Sequence, residues 1–159
     1  TKLEKLYKEC LYKPLSLDEA IEISSRLYMI YSYKKIPVIR IGLQPTENIN
    51  EKKDVVAGPF HPSIRQLVET NIHKIYLEEL IDKYRLKDKI KIHISNRDIS
   101  IIAGNKKANK NYFYKKYGLI INFENDENNF IEYEDKKISY DIENFMREFV
   151  EKTYGGDLY

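Results

Sequence analysis

The sequence predicts an α+β protein made of two parts, an α/β segment over residues 1–87 and a β-α-α-β-β-α module over residues 88–159. Three observations predict it. An Ile/Val-rich run, Ile36-Pro-Val-Ile-Arg-Ile-Gly-Leu43, stands between two stretches of helical periodicity, the order expected of an α/β unit. Beyond Leu86 the texture changes to short alternating runs such as Lys89-Ile-Lys-Ile-His-Ile94, as in a half-buried strand. The segments that follow then read in the order of the second module up to residue 152.

Lys2-Leu-Glu-Lys-Leu-Tyr-Lys-Glu9 already reads as helix, with no initiating methionine before it, which suggests a piece of something longer. Ser16-Leu-Asp-Glu19 is a capping-box pattern, followed at helical spacing by Ala20, Ile23, Leu27, Ile30 and Tyr31, so a helix is expected over 16–34. Residues 36–43 lack strict alternation, as a strand covered on both faces does, and this strand is expected to end at Gln44-Pro45. The polar run from Thr46 to Asp54 reads as a mobile loop. Pro62 is placed as the first residue of the next helix, which runs over 62–71 and, after a break near Asn71, over 73–86.

The second module begins with the strand at 89–94. A short helical stretch, a basic helix, a strand at 119–123, a hairpin about Asp135-Lys136 and a helix over 141–152 follow. Gly155-Gly-Asp-Leu-Tyr159 reads as a loose tail.

With 159 residues the chain can bury one core or two small ones without disulfides. Its net charge is +2, so whole-chain charge argues for no particular partner and any basic surface must be local. Cys10 is the single cysteine, which excludes an internal disulfide framework and fits a reducing cytoplasm. No apolar run approaches a membrane span, so no membrane partner is expected. The absence of HExxH, Walker and Ser-His-Asp patterns argues against a self-contained hydrolase or nucleotidase.

The local basic surface lies in Gly104-Asn-Lys-Lys-Ala-Asn-Lys110, which continues to Lys115 and Lys116 with no acid. A glycine at 104 lets the backbone turn and present N–H groups at the start of the next helix, where the dipole and the ammonium groups of Lys106, Lys107 and Lys110 favour phosphate. Asn105 completes this candidate loop. The same lysines also suit a solvated helix face whose apolar side is Ala108, Phe113 and Tyr117.

In the first part Arg40 and Gln44 lie at the end of the expected strand. Arg40 can fork two hydrogen bonds to a carboxylate or phosphate, and Gln44 can donate and accept. Arg40 reads equally as a structural ion pair. His61, in a capping position before Pro62, and Arg65, one turn later, complete the candidate set of cavity-wall residues. His73 and His93 have no ligand or base partner nearby in sequence. No residue is assigned a catalytic role.

The stretch Ile36–Thr46, with Val55-Val-Ala-Gly-Pro-Phe-His-Pro-Ser-Ile-Arg-Gln-Leu-Val-Glu69, resembles the C-terminal part of bacterial radical S-adenosylmethionine (SAM) proteins related to the catalytic subunit of elongator, over roughly residues 1–86. The resemblance implies the last strand and helix of an incomplete β/α barrel. It also implies a [4Fe-4S] cluster and S-adenosylmethionine in the full-length protein, and neither cofactor in this piece, because three cluster thiolates are needed. Residues 88–153 resemble a KH domain, in which a G-x-x-G loop between two helices clamps a nucleic-acid backbone. Here Gly104–Lys107 is that loop, with Lys107 in place of the second glycine. Together the resemblances imply an oxidoreductase-type enzyme acting on tRNA or another RNA, the present piece being inactive alone. The expected partners are its missing N-terminal half, tRNA and, for an isolated piece with exposed strand edges, a second copy. A non-enzymatic RNA-binding or protein-interaction module is the alternative.

Overall fold

A computed structural model of the chain describes residues 1–43 and 55–155. They form an α+β fold of six helices and one four-stranded mixed sheet. The expected loop at 46–54, Gln44 and residues 156–159 of the tail lie outside the described residues.

Helix α1 (Lys2–Lys8) and helix α2 (Leu17–Tyr33) both open on capping boxes, Thr1 with Glu4 and Ser16 with Glu19, each of which satisfies two N-terminal N–H groups that the helix cannot use. The α2 start is the one expected from the sequence. The strand expected over 36–43 is not formed. These residues carry no ladder, and Ile39 is 93% exposed. Ile/Val content alone does not make a strand; the backbone needs a partner to bond with, and the structure sets none beside it among the described residues. The segment is instead held against the next helix: Arg65 Nη1 donates to the Val38 carbonyl at 3.2 Å, and Gly42 (φ +69°) lies so close to Ile64 that a Cβ there would come within 2.8 Å of its methyl group.

Helix α3 (Ile64–Tyr84) runs without the break expected at Asn71. Asn71 faces α2, where its Nδ2 donates to Ser25 Oγ at 3.1 Å, so its polarity is absorbed by a neighbouring helix. Nor does Pro62 open the helix. It sits in a turn in which the Ser63 N–H donates to His61 Nδ1 at 3.1 Å, and helical geometry begins at Ile64. The buried side of α3 carries Val68, Ile72, Leu77, Leu80 and Ile81.

Strand β1 (Lys89–Ile94) follows, then helix α4 (Asn96–Ala103), a short 3₁₀ turn at Asn105–Lys107, helix α5 (Ala108–Tyr117) and strand β2 (Ile120–Asn125). β1 and β2 pair in parallel, Ile90 beside Ile121 and Ile92 beside Phe123, and a parallel pair needs such a helical crossover. Strands β3 (Phe130–Tyr133) and β4 (Lys136–Ser139) form the hairpin expected about Asp135-Lys136, and β3 runs antiparallel to β1. The sheet order is β2-β1-β3-β4, so the hairpin adds a strand to the expected order. The reason is local: Phe130-Ile-Glu-Tyr133 and Lys136-Lys-Ile-Ser139 are each only four residues long. Helix α6 (Ile142–Tyr154), capped by Asp141, closes the chain.

Alternation along the strands sends Ile90, Ile92, Ile94, Ile121, Ile131 and Ile138 into one core with Val68, Leu77, Phe113, Phe145 and Val150, and Met29 of α2 belongs to the same cluster. The other sheet face is polar: Lys91 bridges Glu124 at 3.1 Å, and His93 meets Glu132 at 2.9 Å and stacks on Phe130. Among the described residues no helix is long and apolar enough to cross a membrane.

Candidate functional site

Gly104 ends α4 with φ +77°, and Lys106 and Lys107 also lie in the left-handed region, at φ +50° and +61°. Two successive non-glycine residues there cost about 1–2 kcal/mol each, so the loop must be held by its surroundings. Buried Asn109 does much of this. Its Nδ2 donates to the carbonyls of Thr70 at 3.0 Å and Ile102 at 2.9 Å, and Thr70 Oγ1 donates in turn to the Ile101 carbonyl at 2.8 Å. Gly104 packs into this junction; a Cβ on it would stand 3.1 Å from the Thr70 methyl and 3.2 Å from the Asn109 nitrogen.

The result is a rigid turn on which Asn105, Lys106 and Lys107 are exposed, while Lys110, half-buried on the first turn of α5, places its ammonium 5.7 Å from the Phe123 ring. The three ammonium groups stand at the start of a ten-residue helix, where the helix dipole adds to their positive field. Neither Lys106, Lys107 nor Lys110 is in an ion pair among the described residues. The farther end of α5 is different: Lys116 binds Glu78 at 2.7 Å, and the hydroxyls of Tyr112 and Tyr117 donate to the same carboxylate. Burial pushes the Glu78 carboxyl up, but these donors outweigh it and hold it below the ordinary value, and the Glu78 carboxylate pushes Lys116 up. Lys116 is thus committed to packing α5 on α3.

The first candidate set is only partly assembled. Arg65 pairs with Glu69 at 3.0 Å, which raises its guanidinium pKa, and it reaches Val38 as described. Arg40 is exposed, and His61 is half-buried with its Nδ1 accepting from the Ser63 N–H. Gln44 lies outside the described residues. One helix nevertheless joins the two sets: Arg65 and Thr70 are both on α3, about 7.5 Å apart along its axis at 1.5 Å per residue.

Asn109, Thr70 and Asn71 are residues that the sequence does not single out. Asn109 lies inside a run of lysines and asparagines, and its carbonyl partner Thr70 is 39 positions away. Gly104, a helix-breaking residue at the head of the run, is the local sign that a turn must be pinned there.

Among the described residues no group of three or more His, Cys, Asp or Glu could hold a metal ion, and Cys10 is exposed. Comparison with curated proteins and with solved structures gave no match. The family described as Radical_SAM C-terminal domain matches residues 1–74, the part that carries α1, α2, the Arg40 segment and the first half of α3. The N-terminal part of this chain is thus matched as a radical SAM C-terminal domain.

Proposed function

We propose that the chain is the C-terminal part of an elongator-like radical SAM enzyme of oxidoreductase type that acts on tRNA or another RNA, and that this part binds rather than catalyses. The family match over residues 1–74 supports the first half of the reading. The observation that carries the RNA half is the 104–107 turn: a backbone loop pinned by Asn109, with Lys106, Lys107 and Lys110 unpaired at the start of α5. Phosphate is the ligand such a turn suits. We read residues 88–159 as a KH-like module on this loop and its two flanking helices, and residues 1–87 as the barrel-derived part, with Arg40, Gln44, His61 and Arg65 shaping a cavity wall.

The residues present do not fit an iron–sulfur cluster. Three thiolates are required and Cys10 is the single cysteine, so no step through a cluster is assigned to this chain; cluster and S-adenosylmethionine belong to the proposed N-terminal half. Support for such a partner comes from the surface. Among the described residues the large exposed apolar side chains concentrate before residue 57, from Leu3 through Leu11, Leu15 and Ile39 to Val56, and only Tyr84, Tyr114 and Ile120 lie beyond it. Exposed apolar side chains gathered in one part of the chain support an interaction face there, for the N-terminal half or, without it, a second copy. The single cysteine also favours the second reading, a non-enzymatic RNA-binding or protein-interaction module.

The test is tRNA binding by the chain across a salt series, beside Lys106→Glu/Lys107→Glu. We expect affinity that falls steeply with salt and a log–log slope shallower by about two in the double variant, one per lost phosphate contact. Identical slopes, or no binding by the unaltered chain, would remove RNA from the reading.

A further inference from the structure

A cavity of about 420 Å³ opens between α2, α3 and α5, lined by Asp18, Leu67, Thr70, Asn71, Lys74 and Asn109 among others. Two of these residues, Thr70 and Asn109, are the ones that pin the 104–107 turn, so the cavity and the proposed phosphate clamp share a wall. Its volume falls within the range of small-ligand sites, roughly 300–1,000 Å³.

The hydrogen-bonding character of the wall is weighted toward acceptors. Asn109 spends both amide hydrogens on the Thr70 and Ile102 carbonyls. Thr70 spends its hydroxyl hydrogen on Ile101, and Asn71 gives an amide hydrogen to Ser25. Glu22, on the same rim, is occupied by Arg26 at 2.9 Å. What is left to a ligand is mostly acceptors, the Asp18 carboxylate, in no ion pair among the described residues, and the carbonyl oxygens of Asn71 and Asn109, beside two donors, the second amide hydrogen of Asn71 and the Lys74 ammonium. Ile21 and Leu67 add apolar surface, and the Lys74 ammonium, 5.2 Å from the Tyr112 ring centre, supplies positive charge.

We infer that this cavity takes the base of a nucleotide whose phosphate lies on the 104–107 turn, with guanine preferred, an assignment that rests on the RNA reading above. A carboxylate near an ammonium on a partly apolar wall selects a flat ligand that presents paired hydrogen-bond donors beside one acceptor, as guanine does with N1–H, N2–H₂ and O6. Guanine offers the adjacent N1–H and N2–H₂ donors to a carboxylate. Uracil offers one N–H between two carbonyls, which the Asp18 carboxylate repels. Adenine and cytosine, each with a single amino group, fall between.

The experiment uses fluorescein-labelled octanucleotides, UUUUUUUU and UUUGUUUU, titrated against the full chain at low salt and read by anisotropy. We expect the guanine-containing strand to bind about tenfold tighter, the scale of one good carboxylate–base contact. Asp18→Asn, an exposed position whose change leaves the fold intact, should erase the difference, whereas Lys106→Glu/Lys107→Glu should weaken both strands alike. In parallel, the side-chain amide NMR signals of Asn71 and Asn109 should move with 5′-GMP and stay still with inorganic phosphate. Equal affinity for the two octamers, or a preference that survives Asp18→Asn, overturns the base site and leaves the phosphate clamp standing. Failure of both octamers and of tRNA to bind overturns the clamp and the base site together.

Discussion

Gly104 and Gly118 share a left-handed φ, +77° and +66°, but not an environment. A Cβ at 118 meets nothing within 4 Å, whereas one at 104 presses on the Thr70 methyl and the Asn109 backbone. Gly118→Ala should therefore cost only the backbone term, about 1 kcal/mol. Gly104→Ala should cost more on both counts, because φ +77°, ψ 161° is backbone essentially reserved to glycine and the added Cβ displaces Thr70 and Asn109, about 3–5 kcal/mol in all, or a melting temperature lower by roughly 6–20 °C. Thermal denaturation of both variants checks this, and equal losses would mean that the turn is not packed as described. At this scale the sequence shows the charged half of the site and hides the neutral half. Lys106, Lys107 and Lys110 stand out because no acid interrupts them. Asn109 does not, because a buried asparagine is spelled like an exposed one and its partners are set by tertiary packing.

Elements defined by their own local chemistry are legible in the sequence; elements defined by a partner are not. The capping box at Ser16, the alternation of 89–94 and the Asp135-Lys136 hairpin all appear where the residues put them. The run 36–43 has the composition of a strand and no strand to pair with, so it packs on α3 through Arg65 and Gly42 instead. Asn71 looks like a helix break until Ser25 of α2 is brought against it. The joint between α3 and α5 is a second case of such pairing, and it is testable. Glu78 binds Lys116, Tyr112 and Tyr117, on an element 34 to 39 residues away. A double-mutant cycle with Glu78→Gln and Lys116→Met should give a small favourable coupling that weakens with added salt, small because Lys116 is half-exposed. The Glu78 pKa is lowered in the folded state, so its contribution is present above about pH 4.5 and is lost as pH falls through the folded value. Urea denaturation at a series of falling pH values below about 4.5 should show the cycle shrinking toward zero.

At the scale of the whole molecule, α3 belongs to every layer: it touches the segment at 36–43 at its start, the 104–107 turn at its middle and the helix-covered face of the sheet along its length. Residues 88–159 alone lose Val68, Ile72, Leu77 and Leu80 from their core. Circular-dichroism melts should therefore find a cooperative transition for a piece spanning residues 60–159 and none for 88–159. The same helix carries an acid-sensitive joint. His73 Nδ1 lies 2.8 Å from the hydroxyl of buried Tyr140, a hydrogen bond whose direction follows the imidazole tautomer. Burial lowers the His73 pKa to about 4, against a smaller opposing pull from Asp98. Between about pH 6.5 and 4 the unfolded chain therefore binds a proton that the folded one refuses, and stability should fall with pH across that window by about 2–3 kcal/mol. His73→Phe should flatten that slope while costing about 1–3 kcal/mol at neutral pH for the Tyr140 hydroxyl left unpaired. A slope unchanged in the variant would assign the acid sensitivity elsewhere.

The two sheet margins have different fates in a crowded solution. β4 ends the sheet on one side with Lys136 and Lys137 exposed, and charged side chains on a margin of that kind keep foreign strands from adding to it. β2 ends the other with Ile120 as its one large apolar side chain facing out, and only six residues long. Growth of the sheet from molecule to molecule is discouraged at one margin and short-lived at the other. Self-association, where it occurs, should therefore be of the finite kind, apolar side against apolar side through α1, α2 and the 36–43 segment, giving a countable oligomer rather than a fibre.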